Sequence, residues 1–241
     1  MKKSIIIIIA ILISISAYSQ FNESGQSFGL QFSVNSISNA YYRTDGNGNA
    51  LKSYDDWFLF PNFDYRVHVV TENILLTVDG SSIPYLLGVI YTTATDKEPF
   101  IGKLRKAEEN LGEGARGYGY NLPLIQVGLA FGYEPFYIGM DVDFGALGTD
   151  FYEGGATQNH TWYLGFGGAA YYISEYVRSS LRIDRAWGEN RKGYMIAVEA
   201  EYCFLDHLYT GVFYKYMKLG KSTDVNRLTA NTVGIKMGLY L

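Results

Sequence analysis

Residues 231–241, NTVGIKMGLYL, decide how this chain is read. Val233, Ile235, Met237, Leu239 and Leu241 alternate with Thr232, Gly234, Lys236, Gly238 and Tyr240. A period of two sends these sets to opposite faces of an extended strand. One face is wholly apolar; the other carries glycines, a lysine and a tyrosine. Many domains finish in a frayed polar tail. A strand running to Leu241 instead needs a partner for its backbone, and the fold depends on which solvent each face meets.

The same alternation recurs upstream. In 27–36, Phe28, Leu30, Phe32 and Val34 oppose Ser27, Gly29, Gln31 and Ser33. In 57–69, Trp57, Leu59, Phe63, Tyr65, Val67 and Val69 oppose Asp64, Arg66 and His68. Pro61 interrupts that run, and its missing donor calls for an edge, a bulge or a strand start. Alternating runs follow at 72–78, 122–133, 136–145, 161–172, 177–184, 193–203 and 208–218. About ten antiparallel strands are expected; eight follow if 57–93 is not all wall, and twelve if 83–92 gains a partner. Phe100, Leu104, Ala107 and Leu111 fall at helical spacing, which predicts a short helix over 97–112 in an inserted loop, stopped by Gly112 and Gly114. GARGYGYN, 114–121, reads as a loop.

The first residues, MKKSIIIIIAILISISAYSQ, have a basic start, a short apolar stretch and small residues at Ala17 and Ser19. That is a secretory signal peptide over 1–19, with one domain over 20–241. The apolar part is too short to span a bilayer as a helix. The formal net charge of −4, with no dense basic stripe, does not favour a nucleic-acid partner. Cys203 is the only cysteine, so the chain cannot close its own disulfide or build a cysteine metal cluster. The 27 Gly, 22 Tyr and 14 Phe beside 5 Pro suit closely spaced strands. No cofactor is implied.

Alternation by itself fits a soluble sandwich, with apolar faces meeting inside, or a membrane barrel, with apolar faces turned to lipid. Three features favour the barrel. The segments run about ten residues, the length a tilted membrane strand needs. Aromatic residues gather near segment ends, with Trp57, Tyr133, Phe136, Trp162, Tyr202 and Tyr216 as membrane-interface candidates. Short links at 71–73, 134–135, 174–176 and 205–207 alternate with longer polar ones at 37–56, 148–160 and 219–230. The expected fold is therefore all-β, a closed antiparallel transmembrane barrel whose last strand pairs with its first, because an open edge in hydrocarbon leaves backbone groups unpaired.

With the AYSQ signal end and the alternating wall in view, the chain resembles the small outer-membrane β-barrel proteins of the Bacteroidota. The resemblance implies the outer membrane of a Gram-negative bacterium and contact with its lipid. It also implies that the insertion machinery recognises 231–241, through the apolar positions 233, 235, 237 and 239. The chain departs from the usual aromatic end: Leu241 is last and Tyr240 faces the other way.

In such a barrel the inner face carries Asp64, Arg66, Asp141, Asp143, Arg178, Arg182, Asp184, Glu199, Glu201, Lys215 and Lys236. Buried charges need partners or water. Neighbouring strands suggest Arg178 and Arg182 against Glu199 and Glu201, with Lys215 and Lys236 extending the network. The role that follows is structural or surface-binding, with loops 37–56 and 148–160 placed for a protein or glycan partner. The alternative is a narrow passive solute channel lined by mixed charges. A second alternative, a membrane-embedded hydrolase, rests on His160 beside Asp150; no catalytic residue is assigned. His68 is expected to point inward and His207 to be a wetted turn residue. Asp141, Asp143, Glu199 and Glu201 are the acids suited to a hard cation, but nothing fixes their separation and no metal site is assigned. GYGYN and GFGGAA do not form a phosphate loop. Inward glycines have a plainer use, making room for Tyr163 and Phe213.

Overall fold

The computed structural model describes residues 21–44, 50–80, 103, 116–152, 159–188, 191–204, 207–220 and 228–241. They form ten strands: β1 (Gly25–Thr44), β2 (Ala50–Val70), β3 (Ile74–Asp79), β4 (Arg116–Tyr133), β5 (Phe136–Tyr152), β6 (Asn159–Ile173), β7 (Val177–Gly188), β8 (Arg191–Phe204), β9 (Leu208–Leu219) and β10 (Leu228–Tyr240). Neighbours in sequence pair antiparallel, and β1 pairs with β10, so the sheet closes on itself. The closing ladder runs from Ser27 opposite Tyr240 to Ser38 opposite Thr229. Leu241 extends it: its N–H donates to the Gln26 carbonyl at 2.7 Å, and its own carbonyl accepts from Gln26 at 2.8 Å. A closed ring leaves no strand edge facing lipid.

The strands outrun the apolar pattern. β1 has 20 residues and β2 has 21, and they still pair at Thr44 opposite Ala50. Much of the expected loop 37–56 is therefore strand, as is much of 148–160, since β5 runs to Tyr152 and β6 starts at Asn159. The expected loop at 114–121 is likewise strand from Arg116 onward. The physical reason is common to all three. In these stretches the ladder continues without the alternation that marks a strand in sequence: on β4 the consecutive positions 117–119, and on β5 145–148, are all buried. The helix read over 97–112 and the segment 83–92 lie outside the described residues, apart from Lys103, which bridges to Tyr118.

Pro61 sits inside β2, opposite Phe32 on one side, while on the other the described pairing with β3 begins only at Arg66, so among the described residues its open side is an edge, as expected. The Tyr65 carbonyl accepts from the Gly80 N–H, so odd-numbered β2 residues direct their backbone groups away from β1. The donor Pro61 lacks is thus not owed to β1. On the same side Trp57 and Phe63 give their N–H groups to the preceding side chains, Asp56 Oδ1 at 2.7 Å and Asn62 Oδ1 at 2.9 Å.

The two faces differ sharply. Ile138 is 72% exposed and Ile235 60%, within an outer band that includes Phe28, Leu30, Phe32, Val127, Leu129, Val142, Phe166, Leu181, Val198 and Val212. Asp184 is 1% exposed and Lys236 2%. Tyr133, Phe136 and Tyr202 lie on the outside near the short-turn end; Trp57, Trp162 and Tyr216 lie on the outside toward the other. Trp187 and Tyr194 join the second belt, the Tyr194 and Tyr216 rings lying 5.7 Å apart.

Inside, glycines meet rings. A Cβ at Gly145 would lie 2.5 Å from the Tyr163 hydroxyl oxygen, and one at Gly234 would run into the Phe213 ring. Gly234→Leu is expected to destabilise the barrel by about 1–3 kcal/mol through overpacking. Gly168→Ala, on the outside with its nearest obstacle 4.0 Å away, should leave the urea midpoint of refolding into vesicles close to wild type.

Candidate functional site

The lumen is filled in three layers. At the short-turn end, Phe21 enters the barrel mouth. Its N–H donates to the Glu175 carbonyl at 3.2 Å, and its ring meets Tyr240 at 5.0 Å, Tyr209 at 6.4 Å and the Arg178 guanidinium at 4.6 Å. His68 holds this layer together. Arg178 Nη1 approaches its Nδ1 at 3.2 Å, while its Nε2 lies 3.2 Å from the Phe21 carbonyl and 2.6 Å from the Tyr240 hydroxyl oxygen. These contacts fit a ring that accepts at Nδ1 and donates from Nε2. The Tyr240 hydroxyl then donates to the Glu23 carbonyl at 2.7 Å. Cys203, Leu75, Tyr137, Tyr171 and Ile173 pack the remainder.

At the other end a second apolar cluster fills the bore, including Phe58, Phe60, Leu122, Leu147, Tyr163, Met195 and Met217. Between the two clusters lies the charged belt, built from side chains on opposite walls. Glu199 on β8 receives Arg66 on β2 through two bonds of 2.6 and 3.1 Å. Lys236 on β10 lies 2.9 Å from Glu199 and 2.7 Å from Glu201. Arg178 binds Glu201, and the Tyr209 hydroxyl donates to Asp64. Lys215 on β9 crosses to Asp143 on β5 at 2.9 Å and donates to the Tyr163 hydroxyl oxygen at 3.0 Å. Asp79 adds a further carboxylate 3.1 Å from Arg66.

Arg182 departs from the pairing suggested by strand neighbours. Its ion-pair partner is Asp141, two strands away, at 3.9 Å, because Glu199 is already engaged by Arg66 and Lys236. Asp141 and Asp184 flank Gly167 in one cross-strand row. The four acids considered for a cation are divided among lysines and arginines. His68 is inward and buried, and His207 is a partly exposed turn residue whose carbonyl takes the Tyr240 N–H and whose Nδ1 is buried. The side chains of Asp150 and His160 lie outside the described residues.

Above the belt is a polar chamber of about 70 Å³. A chain of bonds ties its walls: Asn121 Nδ2 donates to Thr232 Oγ1 at 2.9 Å, Thr232 donates to Asn35 Oδ1 at 2.7 Å, and Asn35 donates to Ser33 Oγ at 2.9 Å. Asn121 Oδ1, Asp143 Oδ1 and two nitrogens of Arg182, Nε and Nη1, belong to chamber-lining residues and are buried without a hydrogen-bond partner.

An apolar outside of this height around a charged, closed interior is stable only with hydrocarbon as its outer solvent. The chain is a transmembrane β-barrel. No protein-family model matches it, and no curated protein matches it in sequence. Solved outer-membrane barrels are similar in fold. An outer-membrane channel from Pseudomonas putida shares 14% identity over 93% of this chain and 98% of its own, with a TM-score of 0.38. The outer-membrane protease OmpT from Escherichia coli shares 10% identity over 92% and 97%, with a TM-score of 0.37. Ail, the attachment invasion locus protein of Yersinia pestis, shares 9% over 91% and 99%, with a TM-score of 0.32. Such distant likeness carries no activity across, and the barrel assignment rests on the chain's own geometry.

Several members of the lumen network were not legible in sequence. Phe21 precedes the first strand and carries no periodic signal. Tyr209 and Tyr240 alternate with the inward sets of their strands, but that they reach Asp64 and His68 follows only from the closed ring. Asn35, Asn121 and Thr232 are single polar residues, related only through closure.

Proposed function

We propose that the barrel is a narrow passage for small polar solutes, held closed at both ends in the state described. The observation that carries this reading is the polar chamber above the belt, whose lining residues hold donors on Arg182 and acceptors on Asn121 and Asp143 that have no hydrogen-bond partner. Buried polar groups left without partners are costly, and a solute with matching donors and acceptors would satisfy them. The chamber has room for a few waters or a comparably small polar molecule. Phe21 is the removable closure, because it belongs to the segment before β1 and not to the wall.

A second reading, a structural or surface-binding barrel, is favoured by the ties that cross the lumen and by the long β1–β2 pair. Planar-bilayer current separates the two. Phe21→Gly, alone and combined with Phe60→Ala, is expected to give stepwise current that the wild-type barrel lacks or shows rarely. If both variants fold, as judged by heat-modifiable migration, yet stay electrically silent, the passage reading fails and the surface-binding one stands.

A further inference from the structure

Among the strand residues whose side chains are described as facing outward, charge gathers almost entirely in one place. Where side chains are described, the outward-facing charged strand residues are Asp55 on β2 and three bases on consecutive strands, Arg185 on β7, Lys192 on β8 and Lys218 on β9. Arg185 lies opposite Tyr194, and Tyr194 opposite Lys218, so these three form one row. Strand spacing puts the outer two Cα atoms about 10 Å apart. Lys192 stands two residues beyond Tyr194 on the same face, about 7 Å further along. It pairs across the ladder with Trp187.

The patch lies at the end of the barrel away from the short turns. The acids Glu23, Glu72, Glu134 and Glu175 all lie at the short-turn end. Toward the bilayer centre the same three strands present Ile183, Ile196, Val198 and Val212. Beyond the apolar wall come Arg185, Tyr194 and Lys218 at one level and Trp187 with Lys192 at the next, so rings and cations alternate in one continuous column. That sequence of surfaces matches an anionic amphiphile lying against the wall, with acyl chains on the aliphatic band, headgroup beside the aromatic rings and phosphate among the bases. None of the three bases shares a side-chain ion pair with a described residue.

We propose that Arg185, Lys192 and Lys218, with Tyr194 and Trp187, bind the phosphate of an anionic lipid in the outward leaflet of the membrane. The site is on the outer wall and does not depend on what the lumen does. A surface cation near an anionic lipid is worth about a fivefold change in affinity, so removing three should weaken binding roughly a hundredfold.

The test uses the folded chain in neutral detergent, titrated with phosphatidic acid, with diacylglycerol of the same acyl chains, and with inorganic phosphate. Retained lipid is read by native mass spectrometry and stabilisation by the unfolding midpoint. Phosphatidic acid is expected to be retained and to raise the midpoint, whereas diacylglycerol does neither. The Arg185→Gln/Lys192→Gln/Lys218→Gln protein should lose the effect, and Lys192→Arg/Lys218→Arg, which keeps the charge, should preserve it and confirm an intact fold. Equal retention by the triple variant, or equal retention of diacylglycerol, would overturn the proposal. A midpoint shift of the same size from inorganic phosphate would also overturn it, by assigning the patch to a free anion.

Discussion

Glu199→Ala is expected to cost the folded barrel about 3–5 kcal/mol, the range for removing one partner of a buried ion pair. Glu199 is the point where Arg66 from one wall and Lys236 from another meet, and all three side chains are nearly excluded from solvent. Truncation leaves the two cations with Glu201, Asp79 and Asp64 as the remaining nearby acids. Glu199→Gln should recover part of the loss, because its carbonyl still accepts one bond from Arg66 while the charge is gone. Asp79→Ala should cost less, since its side chain is more exposed and Arg66 keeps its two bonds to Glu199. The measurement is the urea dependence of folding into vesicles. A Glu199→Ala midpoint within error of wild type would mean that the charged belt is water-filled and does not hold the walls together.

The second large effect probes the outer face. Ile235→Arg is expected to cost about 2–4 kcal/mol, because it places a guanidinium against hydrocarbon near mid-height of the wall. Thr229→Arg, outward on the same strand but at its far end, should cost only about 0–1 kcal/mol. The depth dependence is the informative part, since a soluble barrel would tolerate arginine equally at two exposed positions. If the two variants unfold together, the outside of this barrel is not a lipid surface.

Gly234→Leu and Ile235→Arg are neighbours in sequence yet act by different physics, overpacking on one face and desolvation on the other. That contrast is legible in NTVGIKMGLYL alone, because a strand's side chains alternate whatever surrounds it. Closure is legible too, from the cost of an unpaired edge in lipid, and so is the outward placement of Trp57, Trp162 and Tyr202. The true reach of β1, β2 and β5 is not, since the far ends of these strands keep the ladder but lose the apolar rhythm.

The sequence by itself determined that this chain is a wall of alternating strands with grease on one side and charge on the other, because those properties reside in each residue and its neighbours two places away. Only the tertiary structure decided that Arg66 reaches Glu199, that Lys215 reaches Asp143, and that Phe21 stops the mouth against Tyr240. Those partners stand on non-adjacent strands or before the first one, and what brings them together is the small bore of the closed ring, a distance that no local pattern encodes.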